Sequence, residues 1–181
     1  DWRLVRASIE KPVYKEKLRL RSYGTPEDRE ATVFLELKKK YRGVVYKRRE
    51  PMTYGEATDF LKNPVPETQI EREIARFLSF YPDIQPAMYL AYRREAFFRC
   101  FDPGLRLTFD TDIRYREEAA ELSHGVYGRE LLAPGQVLLE IKVGGAMPLW
   151  LSEILSEEKI FRTSFSKYGR AYQQICKEKS T

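Results

Sequence analysis

The sequence predicts an α+β fold: an antiparallel β tunnel or barrel with a charged lumen, with helices packed on its outside. Several segments alternate charged and apolar side chains with a period of two, which is typical of antiparallel strands. The segment 67–81 instead places its apolar residues at helical spacing. These observations indicate a largely β chain interrupted by helices, and we treat 1–181 as a single domain.

Three strands are predicted first, over 13–23, 32–41 and 44–49, joined as an antiparallel meander. Cations recur at every second position of the first strand and project from one face: Lys15, Lys17, Arg19 and Arg21. The second strand sets charged side chains opposite apolar ones: Glu36, Lys38 and Lys40 against Val33, Leu35 and Leu37. Segments 24–28 and 42–43 have the composition of the two turns.

Two helices are predicted to follow this meander. The run 67–81 has apolar residues at 70, 74, 77, 78 and 81, which form one helical face. A shorter helix is predicted over 54–61, and the two prolines of segment 63–66 separate the two helices.

Strands are predicted again at 87–98, 105–115 and 137–143. In the second of these, one face carries polar side chains: Arg106, Thr108, Asp110 and Asp112. Its other face is apolar: Leu105, Leu107, Phe109 and Ile113. The third strand places Glu140 and Lys142 together on one face. Amphipathic segments at 149–155 and 166–177 close the chain.

The charged faces of the predicted strands have two possible interpretations. A single alternating strand is ordinary, because an antiparallel strand with one face in water has this pattern. The same pattern in at least four strands favours a curled sheet whose charged faces line a lumen. Such an interior is costly unless its charges meet each other or a ligand. Phosphate suits it, because guanidinium and ammonium groups complement phosphate oxygens and carboxylates can hold a bridging divalent metal.

Composition excludes several kinds of chemistry. Cys100 and Cys176 are too few for a disulfide framework or a zinc cluster, and they predict a reducing, cytoplasmic setting. The single His124 has no second histidine or nucleophile elbow near it and is assigned to a loop. No apolar stretch approaches the roughly 20 residues of a membrane-spanning helix, and no signal-peptide pattern is visible. The net charge of +5 is compatible with a polyanionic partner.

Six segments resemble, in order, the successive motifs of the VTC domain: 17–24 (KLRLRSYG), 33–38 (VFLELK), 92–97 (YRREAF), 106–112 (RLTFDTD), 139–142 (LEIK) and 164–168 (SFSKY). The VTC domain is the polyphosphate polymerase branch of the triphosphate tunnel metalloenzymes, which also include the CYTH phosphatases. Each motif is weak alone, but six in register over nearly the whole chain are specific.

This resemblance implies a tunnel that binds a nucleoside triphosphate, ATP, and transfers its γ-phosphate to a growing polyphosphate chain with Mn²⁺ or Mg²⁺. The positions matching the family's basic phosphate ligands are Arg19, Arg21, Lys38, Arg94, Arg106 and Lys167. The resemblance implies four catalytic residues: Lys38, Arg94, Lys142 and Lys167. Glu140 matches the metal-binding glutamate. Glu36 and Asp110 are secondary metal candidates, with ion pairing to Lys or Arg as an equal alternative.

The resemblance also implies an earlier tunnel strand upstream of Asp1, so we expect the chain to be amino-terminally incomplete. Ser164 stands where some members of the family carry a lysine. The expected partners are a nucleoside triphosphate and polyphosphate, and the sequence does not predict an oligomeric state.

Two other functions stay open. A tunnel triphosphatase would hydrolyse the same substrate if water reached the in-line position. A non-catalytic module would only bind polyphosphate or nucleotide. A nucleic-acid partner is not expected, because the aromatic residues do not form a stacking platform between basic residues and no RRM, KH or zinc-finger pattern is present.

Overall fold

The structure is a computed structural model that describes residues 2–10, 12–100 and 102–179. The described residues fall into two compact units. The first comprises Asp1–Tyr89 and Arg116–Tyr127, and the second comprises Leu90–Tyr115 and Gly128–Thr181. Each unit is described by itself, and the single domain over 1–181 stays a prediction.

The first unit contains α1 (Arg3–Ile9), β1 (Tyr14–Ser22), β2 (Thr32–Tyr41), β3 (Val44–Thr53), α2 (Tyr54–Lys62) and α3 (Gln69–Phe80). Its strands form an antiparallel sheet in the order β1-β2-β3, which confirms the predicted meander. The β2–β3 loop is Arg42-Gly43, with φ of 46° and 87°. Two successive positive φ values are typical of a type I′ hairpin turn, whose twist matches that of the strands.

The helices of the first unit begin where the sequence supplies capping residues. Thr53 and Thr68 are the N-caps of α2 and α3. Each forms a capping box with a glutamate three residues later, Glu56 or Glu71. The predictions of helices over 54–61 and 67–81 are confirmed, whereas α1 was not predicted.

The apolar face of the first sheet lies beneath these helices. One core cluster of buried side chains joins the sheet to α2 and α3: Leu35, Leu37, Phe60, Ile74, Phe77 and Leu78. Leu18, Leu20 and Met52 pack against this cluster. Side chains of a strand alternate between its faces, so the intervening cations lie on the other face of the sheet.

Arg116 stabilises the conformation of segment 116–127 in the first unit through ring contacts and hydrogen bonds to the backbone. Arg116 is 5% exposed, and its guanidinium lies between the rings of Tyr89 and Tyr127, 3.6 and 4.1 Å from their centroids. It also donates hydrogen bonds to four backbone carbonyls: Ala119, Glu121, Gly125 and Tyr127. The same segment contains His124, at the end of a short 3₁₀ helix over Leu122–His124.

The second unit is built on β4 (Tyr89–Arg99), β5 (Asp102–Arg116), β6 (Arg129–Glu130), β7 (Leu138–Lys142), α4 (Leu149–Glu157) and α5 (Lys167–Glu178). Strand β5 lies beside β4 and pairs antiparallel with both β6 and β7. The three strands predicted in this region are confirmed, the two amphipathic segments form α4 and α5, and β6 was not predicted.

The prediction of an α+β fold with antiparallel sheets is confirmed. In the part of the chain that the structure describes, neither sheet closes into a barrel. The closed tunnel therefore stays a prediction. No helix among the described residues is long and apolar enough to cross a membrane.

Asp112 departs from the predicted face of β5. Its φ is 48°, a left-handed conformation that interrupts the alternation of the strand. Its carboxylate lies 3.3 Å from Arg93, and both side chains are more than half exposed. Asp110 instead pairs with Arg94, the next residue of β4, which points to the opposite face from Arg93. The expectation that Asp110 and Asp112 share one face is wrong.

Candidate functional site

One face of the first sheet is lined with cations. The register places Lys17, Lys38 and Lys47 opposite one another in a single cross-strand row, and residues directly opposite share a face. The neighbouring row contains Arg19, Glu36 and Arg49. We term the cations of these two rows, together with Arg21, the first basic face.

Glu36 is the central carboxylate of the first basic face and is 2% exposed. Its Oε2 accepts a hydrogen bond from Nε of Arg19 at 2.9 Å. Its Oε1 accepts from Nε of Arg49 at 2.8 Å and lies 3.0 Å from Nζ of Lys47. Burial by itself would raise the pKa of the Glu36 carboxyl, but these hydrogen bonds outweigh burial and lower the pKa to about 2. Both oxygens are thus occupied by cations, which supports the counter-ion role over the metal role.

The lysine row of the first basic face has an excess of positive charge. Burial, followed by repulsion from Lys38, Arg19 and Lys15, lowers the pKa of Lys17 to about 8. A bound anion would oppose that repulsion, so the row favours anionic ligands. Arg21 lies 4.5 Å from the ring centroid of Tyr23, outside this row.

The Glu36 ion cluster predicts an acid-sensitive contribution to stability. The folded-state pKa of Glu36 is about 2, below its ordinary value of 4.5. The contribution is therefore fully present above pH 4.5 and is lost as the pH falls from there toward 2. Urea denaturation over a pH series should show a stability gap between the wild type and Glu36→Gln that narrows over this range. A gap that stays constant with pH would contradict the assignment.

The second unit carries its own charged cluster, centred on Asp110, which is completely buried. Arg94 donates to both carboxylate oxygens, from Nε at 2.6 Å and from a terminal nitrogen at 2.7 Å. Nζ of Lys167 donates to Oδ2 at 2.5 Å. We term Asp110 with Arg94, Arg106, Glu140, Lys142 and Lys167 the second basic cluster.

The hydrogen bonds of the Asp110 cluster shift the pKa values of Asp110 and Arg94 in opposite directions. Burial would raise the pKa of the Asp110 carboxyl, but hydrogen bonds from Arg94 and Lys167 outweigh burial and lower it. The hydrogen bond with Asp110 in turn raises the pKa of Arg94. Asp110, like Glu36, is therefore placed as a counter-ion that orients cations.

Lys167 reaches this cluster from the first turn of α5. Ser166 is the N-cap of α5, and its Oγ accepts a hydrogen bond from the backbone N–H of Gly169. A cation at a helix amino terminus is electrostatically unfavourable, and the ion pair with Asp110 offsets this effect. Lys167 also lies 4.6 Å from the ring centroid of Tyr92, whose ring lies 5.0 Å from the Arg94 guanidinium.

Glu140 is the most accessible carboxylate of the second basic cluster, with its side chain 42% exposed. One of its oxygens lies 3.3 Å from Nζ of Lys142 and the other lies 3.6 Å from Arg94. Arg106 is opposite Lys142 in the β5–β7 register. Its buried Nε has no hydrogen-bond partner, and its guanidinium lies 5.2 Å from the ring centroid of Phe98. Because this nitrogen is also closed to solvent, a phosphate oxygen could satisfy it only after a shift of the Arg106 side chain or its neighbours.

The donor set for a divalent metal is small. No group of three or more acidic, histidine or cysteine side chains suited to a metal ion occurs among the described residues. Glu140 also lies near two cations, but its side chain is 42% exposed, whereas Glu36 and Asp110 are buried, so Glu140 is the carboxylate of the two charged groups that a ligand can reach. Mg²⁺ is commonly held by one or two carboxylates together with substrate phosphates, so Glu140 fits a metal that arrives with its phosphate ligand.

The structure brings the predicted residues together in two groups. Arg19, Arg21 and Lys38 lie on the first basic face with Glu36, and the other predicted residues lie in the second basic cluster: Arg94, Arg106, Asp110, Glu140, Lys142 and Lys167. Sequence reasoning missed Lys47 and Arg49 as partners of Glu36 and Tyr92 as a partner of two cations. The spacing of Lys47 and Arg49, two residues apart on a predicted strand, was the signal that pointed to them.

Comparison with protein families identifies the family of the chain. The family model of the VTC domain matches residues 1–176. The chain therefore belongs to the VTC domain family, as the six motifs predicted. A search of curated proteins finds no match.

Proposed function

We propose that the protein is a polyphosphate polymerase that transfers the γ-phosphate of ATP to a growing polyphosphate chain. The observation that carries the proposal is that each unit surrounds one buried carboxylate, Glu36 or Asp110, with at least two cations. Each arrangement fixes cations in place and leaves net positive charge for phosphate. Membership of the VTC domain family supports polyphosphate as the phosphate compound.

The fixed cations suit phosphoryl transfer, in which a protein mainly positions the reactants and stabilises charge on phosphate oxygens. Asp110 accepts hydrogen bonds from Nε and one terminal nitrogen of Arg94. A guanidinium has five N–H groups, so Arg94 retains donors for a phosphate while Asp110 holds its plane. Lys167, held by the same carboxylate, would contribute a second positive charge beside it.

The remaining predicted ligands complete the proposed roles. Arg106 would bind phosphate through its guanidinium, and Arg19, Arg21 and Lys38 would bind phosphate on the first basic face. We propose Lys38, Arg94, Lys142 and Lys167 as the catalytic residues. Glu140 would hold Mn²⁺ or Mg²⁺ together with phosphate oxygens, and such an ion neutralises charge on the leaving group.

Product analysis tests the proposal against its alternatives. The chain is incubated with ATP and Mn²⁺ or Mg²⁺, and the products are separated by length on a gel. We expect long-chain polyphosphate. Free phosphate alone would indicate a tunnel triphosphatase. Binding of ATP or polyphosphate without any turnover would indicate a non-catalytic module.

A further inference from the structure

The β2–β3 hairpin ends in a tip that is both apolar and cationic. Four side chains at the tip are about half exposed: Tyr41 (46%), Val44 (55%), Val45 (49%) and Tyr46 (52%). Val13 and Tyr14, at the adjoining end of β1, are 65% and 46% exposed. The core cluster on this sheet ends at Leu37, so the tip extends beyond the part of the sheet that packs on helices.

Cations surround this apolar tip. Residues 38–49 contain Lys38, Lys39, Lys40, Arg42, Lys47, Arg48 and Arg49, and no carboxylate. Lys47 and Arg49 pair with Glu36, and Arg48 pairs with Glu73. Within the described part of the chain, Lys39, Lys40 and Arg42 have no ion pair with a carboxylate. The carboxylate opposite Lys39 in register is Glu16, which accepts hydrogen bonds from Tyr14 and Tyr81.

We infer that this hairpin tip docks on the surface of a membrane that contains anionic lipids. Tyrosine favours the interface between water and lipid, because its ring is apolar and its hydroxyl is polar. Val44 and Val45 would enter the outer acyl region, while Lys39, Lys40 and Arg42 would contact lipid phosphates. A single partner, the anionic bilayer, would then contact both the apolar side chains and the cations of the tip.

Other kinds of partner would contact either the cations or the apolar side chains of the tip, but not both. A polyphosphate chain or a nucleic acid would pair with the cations but would leave two exposed valines in water. A purely apolar partner would desolvate the unpaired cations at a cost. The combination of charge and exposed apolar area therefore favours an anionic bilayer over a soluble polyanion. The inference is independent of the proposed polymerase activity.

Vesicle flotation tests the inference. We expect the chain to float with vesicles of equal parts phosphatidylcholine and phosphatidylserine and not with phosphatidylcholine alone. Added salt should weaken the binding, because it screens the exposed charges. No flotation with the anionic vesicles, or equal flotation with the neutral ones, would overturn the inference.

Two substitutions test the charge and the apolar area of the tip separately. Arg42→Asn removes a charge but retains the turn, because Asn-Gly is a preferred type I′ sequence. We expect it to weaken vesicle binding about fivefold. Val44→Ser removes apolar area and should weaken the same binding about tenfold. Lys62→Asn and Val65→Ser, exposed positions of the same unit away from the tip, are the matched controls and should bind normally.

The pattern of effects decides the outcome. Weaker binding for both tip variants, with normal control variants and unchanged circular dichroism, supports docking by the tip. If Arg42→Asn weakens binding and Val44→Ser does not, the tip is only a patch for soluble polyanions, and the inference is wrong. Equal losses in the control variants would place the binding elsewhere and would also overturn it.

Discussion

Replacing Asp110 with asparagine should lower the free energy of unfolding by about 3–5 kcal/mol, because it leaves two buried or partly buried cations without their counter-charge. Asp110 is completely buried, and the side chains of Arg94 and Lys167 are 23% and 16% exposed. Asparagine preserves the shape of the side chain, so the effect would report the charge. Urea denaturation at neutral pH measures the loss, and hydrogen exchange shows whether the β5 amides open with it.

Asp112→Asn is the matched control for this experiment. It makes the same chemical change two residues away on the same strand. Asp112 is 56% exposed and pairs with Arg93, which is 84% exposed, so the expected change is below about 1 kcal/mol. Equal effects of the two substitutions would contradict the counter-ion role of Asp110.

Glu140→Gln should reduce turnover of ATP to polyphosphate by at least about 100-fold, if Glu140 holds the metal as proposed. Glutamine keeps the size and hydrogen bonding of glutamate but lacks the charge that binds Mn²⁺ or Mg²⁺. The fold should persist, because the Glu140 side chain is 42% exposed and its partners are 3.3 and 3.6 Å away. Titration of Mn²⁺ in the presence of a non-hydrolysable ATP analogue adds a readout that does not depend on turnover.

Glu130→Gln provides the control for the metal assignment. Glu130 is also on the second sheet, 53% exposed and 3.0 Å from its cationic partner Arg114. We expect this variant to retain both metal binding and turnover. If wild type and Glu140→Gln have the same dependence on Mn²⁺, then Glu140 is an ion-pair partner of Lys142 and the metal assignment is wrong.

Six of the strands and the helices α2 and α3 followed from local patterns in the sequence. Alternation placed Leu35 and Leu37 on the buried face and Lys38 on the opposite face, because a strand has a fixed period. The capping residues Thr53 and Thr68 fixed the starts of two helices for similarly local reasons. β6 has only two residues, Arg129 and Glu130, which is too short to give an alternation.

The choice between metal ligand and counter-ion did not follow from the sequence for Glu36 and Asp110. It depends on strand register and on helix placement, which join residues distant in the chain. Asp110 meets Lys167 only because α5 begins beside β5, and Glu36 meets Arg49 through the β2–β3 register. The left-handed conformation of Asp112 had no local signal either, and it separated two aspartates that alternation had placed together.

Transfer of phosphate from ATP to a polymer is tested most directly by the balance of products. The chain is supplied with Mn²⁺ and with ATP labelled in the γ-phosphate, and ADP, orthophosphate and polymer-bound label are measured together. We expect one ADP for each labelled phosphate in polyphosphate, with little label in orthophosphate. ADP formation matched by orthophosphate, with no label in polymer, would contradict it.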